Sequence, residues 1–173
     1  IDWQAAPLGD TGFLAAHRQT AGRGRQGRQW LAQAGDSLTF SLGLALDLDQ
    51  VPGGGSALSL AVGLAVAEAL EAALTTPIGL KWPNDLWWQQ RKLGGILIQN
   101  SIGAGNKIDS TVIGIGLNVN QVSWPVEVPN PTSLKAETGS DFDLFLLIKK
   151  LCNCLEIRYL QLKNAPGQLR KDY

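Results

Sequence analysis

The longest apolar run of the chain, Ala57 to Leu74, is interrupted by only two charged positions, Glu68 and Glu71. It is apolar around most of its circumference, which predicts a helix lying across a sheet. A membrane span would need about 20 predominantly apolar residues without such charges. Pro52-Gly53-Gly54-Gly55 is a connector before it, Ser56 is the expected N-cap, and Pro77 ends the region. Upstream, Gly12 to Gln19 reads as a short buried strand. It follows a loop or helix end broken by Pro7 and Gly9-Asp10. Ala34-Gly35-Asp36 marks a turn. Leu38 to Leu46 then alternates, with Leu38, Phe40, Leu42, Leu44 and Leu46 on one face of a strand.

After the long helix, Ile78 to Trp82 reads as a strand that must stop at Pro83, with Asn84-Asp85 as turn formers. Leu86 to Gln89 starts a hairpin arm, Gln90-Arg91 turns, and Lys92 to Gln99 returns. Ile102 to Asn106 is a glycine-rich turn. Ser110 to Asn120 is a further strand, interrupted by Gly114 and Gly116. The stretch from Gln121 to Thr138, with Pro125, Pro129 and Pro131, is irregular. Ser140 to Leu162 is an amphipathic helix: Leu144, Leu147, Ile148, Leu151, Leu155, Tyr159 and Leu162 recur at three-or-four spacing. Ser140 and Asp143 supply a capping-box-like start. This order favours an α+β or mixed-sheet α/β fold with helices packed on a sheet.

Composition narrows the function classes. A chain of 173 residues, 45% hydrophobic, is expected to form one domain. Its formal net charge of +0 argues against duplex DNA or an anionic membrane surface as a partner. Cys152 and Cys154 do not make a disulfide framework, and a reducing, cytoplasmic compartment fits. No charged-then-apolar signal segment is expected at the start. With no methionine in the sequence, Ile1 is not expected to be the translation start, so a preceding segment is expected.

Against that neutral balance, one stretch stands out. No acid occurs from Thr11 to Gly35, where Arg18, Arg23, Arg25 and Arg28 all fall. The segment Gly22-Arg23-Gly24-Arg25-Gln26-Gly27-Arg28-Gln29-Trp30 combines converging backbone N–H groups with forked guanidinium donors, which suits phosphate or carboxylate. Taken alone it reads equally as a solvated loop or an RNA-binding arginine–glycine segment. Trp30 reads as a ring that stacks on a base or as an ordinary core tryptophan. Lys81-Trp82-Pro83-Asn84-Asp85 puts an amide and a carboxylate at a sheet edge, where an Asx-type turn is the plainer alternative. Lys92 precedes Gly94-Gly95, which let a ligand approach the backbone, or is a solvated hairpin lysine. Gly114 and Gly116 bare one strand face for a flat group, with Asn118 beside it, or mark a bulge. His17 is the only histidine, and no zinc site is suggested.

Together, QTAGRGRQGRQW (Gln19 to Trp30), KWPNDL (Lys81 to Leu86), RKLGGILI (Arg91 to Ile98) and GIGLNVN (Gly114 to Asn120) resemble the catalytic domain of biotin protein ligases, the biotin–[acetyl-CoA-carboxylase] ligases. PTSL (Pro131 to Leu134) followed by a helix fits as well. The resemblance covers nearly the whole chain. It implies an α+β fold with a mixed, largely antiparallel sheet and packed helices, of the class II synthetase-like kind. It also implies a two-step reaction. Biotin and MgATP give biotinyl-5′-AMP, and a lysine of the biotin carboxyl carrier protein of acetyl-CoA carboxylase then takes the acyl group.

Carried over, Gln19, Gly22, Arg23, Gly24, Arg25, Lys92, Gly94 and Gly95 would hold biotin and the adenylate linkage. Arg25 would be the main stabiliser. Arg28, Trp30, Lys81, Asn84, Gly116 and Asn118 would line the nucleotide side, with Trp30 covering the adenine. Asp85 would position or deprotonate the acceptor lysine. No protein metal site is implied beyond the Mg2+ that arrives with ATP. The family's Ser-Thr-Asn segment would fall just before Ile1. Its small C-terminal β domain and any N-terminal helix-turn-helix have no counterpart here. Neither nucleic acid nor membrane is expected as a partner, and a homodimer is left open. A lipoate-type ligase and a non-catalytic nucleotide- or RNA-binding module are the alternatives.

Overall fold

The computed structural model describes residues 7–8, 11–44, 53–71, 73–74, 76–102 and 108–173. The breakers Gly9-Asp10, the strand position Leu46, the start of the connector at Pro52 and most of the turn expected at 102–106 lie outside them. The main sheet contains β1 (Pro7–Leu8), β2 (Thr11–Ala16), β5 (Ser37–Leu44), β6 (Gly79–Lys81), β7 (Asp85–Trp88), β8 (Arg91–Ile102) and β9 (Ile108–Asn118). Their spatial order is β1-β2-β5-β9-β8-β7-β6. Every pairing of these strands is antiparallel. The one parallel contact among the described residues is an isolated bridge from Lys92 to Pro131. A separate two-stranded ribbon joins β3 (Gly22–Arg23) to β4 (Gln29–Trp30).

One face of the sheet is covered by α1 (Gly54–Glu71), α3 (Leu144–Asn164) and α4 (Pro166–Asp172), while α2 (Leu134–Thr138) is a single short helix beside β8 and β9. Helix α1 is long and apolar enough to cross a bilayer, but most of it is buried inside the domain. Its small residues explain the fit. Ala61, Ala65, Ala69 and Gly63 let the backbone lie close to its neighbours, and Leu58, Val66 and Leu70 fill the core. A β-carbon on Gly63 would meet Leu80 of β6 at 3.3 Å. Leu147, Leu151, Leu155 and Leu162 of α3 complete the layer.

Several boundaries differ from the sequence expectation, each for a local reason. Strand β2 stops at Ala16, where His17 turns and its carbonyl accepts from Gly35 N–H at 3.1 Å. Ser56 is not the N-cap of α1. Gly53 and Gly54 have φ of 89° and 55°, and the Gly53 carbonyl already accepts from Ala57 N–H at 3.3 Å. Helix α1 ends at Glu71, ahead of Pro77. The β7–β8 turn is Gln89-Gln90, with Gln89 at φ 51°. Within the supposedly irregular 121–138 stretch, Ser133 caps α2 by accepting from Ala136 N–H, and left-handed Gly139 ends it. Helix α3 starts after Asp143, whose carboxylate accepts from Phe145 and Leu146 N–H; Ser140 lies outside it. The C-terminal tail is helical, started by Pro166.

Arg158 joins the three long-range helices. Its Nε donates to Glu68 of α1 at 3.1 Å and its Nη1 to Asp172 of α4 at 2.5 Å. Hydrogen bonds from Gln161, Gln168 and Arg158 pull the Asp172 carboxyl down from 3.8 to about 2. The folded-state value is the lower one. Its contribution to docking α4 is therefore complete above pH 3.8 and is lost as pH falls through about 2. Carboxyl 13C NMR is expected to show Asp172 titrating near the lower value; titration at the free-carboxylate position would contradict the network.

Candidate active site

The glycine–arginine segment forms a hairpin. Strands β3 and β4 pair Gly22 with Trp30 and Arg23 with Gln29, and Gly24 N–H donates to the Arg28 carbonyl at 2.7 Å. Arg28 N–H then closes onto the Arg25 carbonyl at 3.2 Å. The residues between, Gln26 (φ 55°, ψ 37°) and Gly27 (φ 75°), are both left-handed, which makes a type I′ turn. The turn leaves Arg23, Arg25 and Arg28 exposed around the tip. Among the described residues none of the three has a carboxylate within ion-pair distance.

The hairpin is seated by glycines. A β-carbon on Gly22 would stand 2.3 Å from the Trp30 carbonyl oxygen, so Gly22 serves close backbone pairing. A β-carbon on Gly116 would stand 2.5 Å from Cε2 of Trp30. The flat group over the bare face of β9 is therefore the Trp30 indole, whose Nε1 is buried without a hydrogen-bond partner.

The opposite wall is the turn between β6 and β7. Asn84 N–H donates to the Lys81 carbonyl, and the Asn84 carbonyl accepts from Ile96 N–H at 2.7 Å, tying the turn to β8. The Lys81 ammonium sits 4.5 Å from the centre of the Trp87 ring. Asp85 faces Gly95 across the ladder, and its Oδ1 accepts from Lys92 Nζ at 2.7 Å. The register of β7 on β8 slips at this point. Leu86 pairs with Gly94 but Trp87 with Lys92, so Leu93 is the extra residue of a β-bulge. Leu93 is fully buried in the same core as Ile96, which breaks the strand's alternation and brings Lys92 to the face that carries Gly95, Leu97 and Gln99.

Hairpin, turn and sheet enclose a cleft of about 570 Å³. Gln19, Arg23, Gly24, Arg25, Arg28, Trp30, Lys81, Asn84, Asp85, Lys92, Gly95 and Gly116 all reach it. Three of the residues picked from sequence do not. Gly22 packs under Trp30, as above. Gly94 is buried, its missing β-carbon lying 2.6 Å from the Gly116 carbonyl oxygen. Asn118 is 5% exposed and donates from Nδ2 to the Thr132 carbonyl at 2.9 Å. Sequence reading in turn missed the floor: Leu14, Thr39, Ser41, Leu97 and Val112. The alternation of β5 held the signal, because Thr39 and Ser41 are the complement of the core-facing Leu38 and Phe40.

The chemistry follows from this lining. Leu14 and Val112 are exposed apolar side chains on the floor, while five basic residues and one acid surround it. The arrangement suits a ligand with an apolar body and an anionic end, brought against a second anion. Gly94→Ala is expected to lower stability by about 3 kcal/mol, since the new methyl meets backbone that cannot yield. Thermal unfolding would report it; an unchanged Tm would contradict the packing.

The model of the biotin/lipoate A/B protein ligase family matches residues 2–118. The chain belongs to this family. It is 39% identical over 163 residues to the biotin–[acetyl-CoA-carboxylase] ligase of Mycobacterium tuberculosis, covering 92% of this chain and 58% of that protein. To the bifunctional ligase/repressor BirA of Bacillus subtilis it is 36% identical, over 85% of this chain and 45% of that protein. The biotin protein ligase of Aquifex aeolicus in complex with biotin and ATP superposes with a TM-score of 0.76 at 37% identity, over 88% of this chain and 62% of that one. The chain thus spans between about half and three-fifths of the length of these relatives.

Proposed function

We propose that this chain is the catalytic domain of an ATP-dependent biotin–protein ligase. It activates biotin as biotinyl-5′-AMP with release of pyrophosphate, then transfers the biotinyl group to a lysine of a biotin carboxyl carrier protein, with release of AMP. One observation carries the reading: Lys92 and three arginines without an ion-pair partner among the described residues converge on one cleft with an apolar floor. Joining a carboxylate to the α-phosphate of ATP brings two anions together, and fixed cations at that point stabilise the charge that develops.

In this reading Arg23 and Arg25 hold the adenylate linkage and Lys92 bridges the biotin carboxylate and the α-phosphate. Trp30, Asn84, Arg28 and Gly116 form the nucleotide side. Gly22, Gly94 and Asn118 act through packing. Asp85, which accepts from Lys92, would position the incoming amine or take its proton. Mg2+ would enter on the phosphates of ATP. The two free cysteines are half-buried, and burial raises both thiols, which makes them poor nucleophiles.

ATP–pyrophosphate exchange with biotin, lipoate and octanoate in parallel tests the proposal. Exchange with biotin alone is expected. Exchange with lipoate or octanoate in its place would move the chain to the lipoate side of the family, and RNA binding without exchange would favour a binding module.

A further inference from the structure

Resting on the role proposed for Lys92, we propose that Glu137 is its positioning residue. Lys92 lies beyond the end of β9, next to the Leu93 bulge, so the strand that should flank it is missing. The segment 130–132 takes that place. Lys92 N–H donates to the Asn130 carbonyl at 2.7 Å, and the Lys92 carbonyl accepts from Thr132 N–H at 2.9 Å. Pro131 is bridged to Lys92 in parallel. Among the described residues two side chains hold this segment in turn, Asn118 at the Thr132 carbonyl and Glu137 at the Thr132 hydroxyl.

Glu137, on the short helix α2, has a side chain only 4% exposed. One oxygen accepts from the Thr132 hydroxyl and the other from Arg91 Nη2 at 2.9 Å. It therefore grips the residue before Lys92 in β8 and the segment bonded to the main chain of Lys92. Asn118 holds the Thr132 carbonyl from the β9 side. Helix α2 is itself docked by Ser133 and by Lys135 N–H on the Val119 carbonyl at 2.9 Å. A carboxylate this buried must satisfy its partners or be costly, so its two hydrogen bonds set a defined geometry. Glu137 touches neither the cleft nor Asp85. Its effect reaches the site through the placement of the Lys92 backbone, and small displacements there matter: a shift of about 1 Å can cost about 10²-fold in rate.

The test has two independent arms, applied to Glu137→Ala and Glu137→Gln, with Thr132→Val as a second approach should the alanine variant fold poorly. In the first, Lys92 is labelled with acetic anhydride and read by mass spectrometry relative to exposed Lys171. Loss of the grip is expected to raise Lys92 labelling several-fold in Glu137→Ala and Thr132→Val, with Lys171 unchanged. In the second, biotin-dependent exchange is measured. Glu137→Ala is expected to lower kcat by about 10²-fold while KM for ATP stays within about 3-fold, and Glu137→Gln, which still accepts from Thr132, is expected to recover part of the loss. Unchanged labelling, or kcat that falls only in proportion to the folded fraction, overturns the inference. Absence of biotin-dependent exchange in the parent overturns the proposed function alone, because labelling still decides the geometry.

Discussion

Arg25→Gly is expected to leave the fold intact and to release the acyl-adenylate into solution. Arg25 stands at the first corner of the type I′ turn, exposed and without an ion-pair partner among the described residues. Its removal deletes no core contact, so the cost in stability should stay within about 0.5 kcal/mol. What it deletes is the forked donor that the hairpin holds over the cleft. Loss of one such charge-stabilising donor typically costs about 10²–10³-fold in the step it serves. On the proposed role, the bound mixed anhydride would also lose its clamp. Rapid gel filtration after a single turnover measures the effect: biotinyl-AMP should elute free of the variant and with the parent. Equal retention by both would show that the hairpin does not hold the intermediate.

Lys92→Ala is the second large effect, and its comparison with Asp85→Asn separates the two half-reactions. Lys92 is the only cation in the cleft with a carboxylate at hydrogen-bond distance among the described residues. Removing it takes away the charge proposed to lie between the two anionic reactants and leaves Asp85 without its Lys92 partner. Exchange is expected to fall by about 10²–10³-fold. Asp85→Asn keeps the shape of the turn and removes the carboxylate proposed to accept the proton. Transfer to the carrier lysine should then slow by about 10²-fold or more, the usual worth of a general base, with exchange reduced much less. If Asp85→Asn slowed both half-reactions equally, Asp85 would serve only to orient Lys92.

Much of the site was readable from residue types alone. Arginines spaced by glycines, a strand ended by Pro-Asn-Asp and a lysine before two glycines are each written in single residues. The structure does bring Arg23, Arg25, Lys81, Asn84, Asp85 and Lys92 to one cleft. Less readable was anything that depends on register. The Leu93 bulge turns Lys92 toward the cleft, yet one extra residue leaves no periodic trace in RKLGGILI. Gly114 and Gly116 signalled room for a flat group without saying that Trp30 fills it over Gly116. Asn118 looked like a free amide and is committed to Thr132. Helices α2 and α4 are five and seven residues long, too short for a hydrophobic period to declare them. The antiparallel order of the sheet needed contacts between segments distant in sequence, such as β5 with β9.

The most direct test of the central claim is a single-turnover experiment with labelled biotin, ATP and an unmodified carrier domain, quenched at successive times. The account predicts that label appears first as biotinyl-AMP associated with the chain and then on one carrier lysine, the first decaying as the second rises. Label that never enters an AMP conjugate, or that reaches the carrier without passing through one, would contradict it.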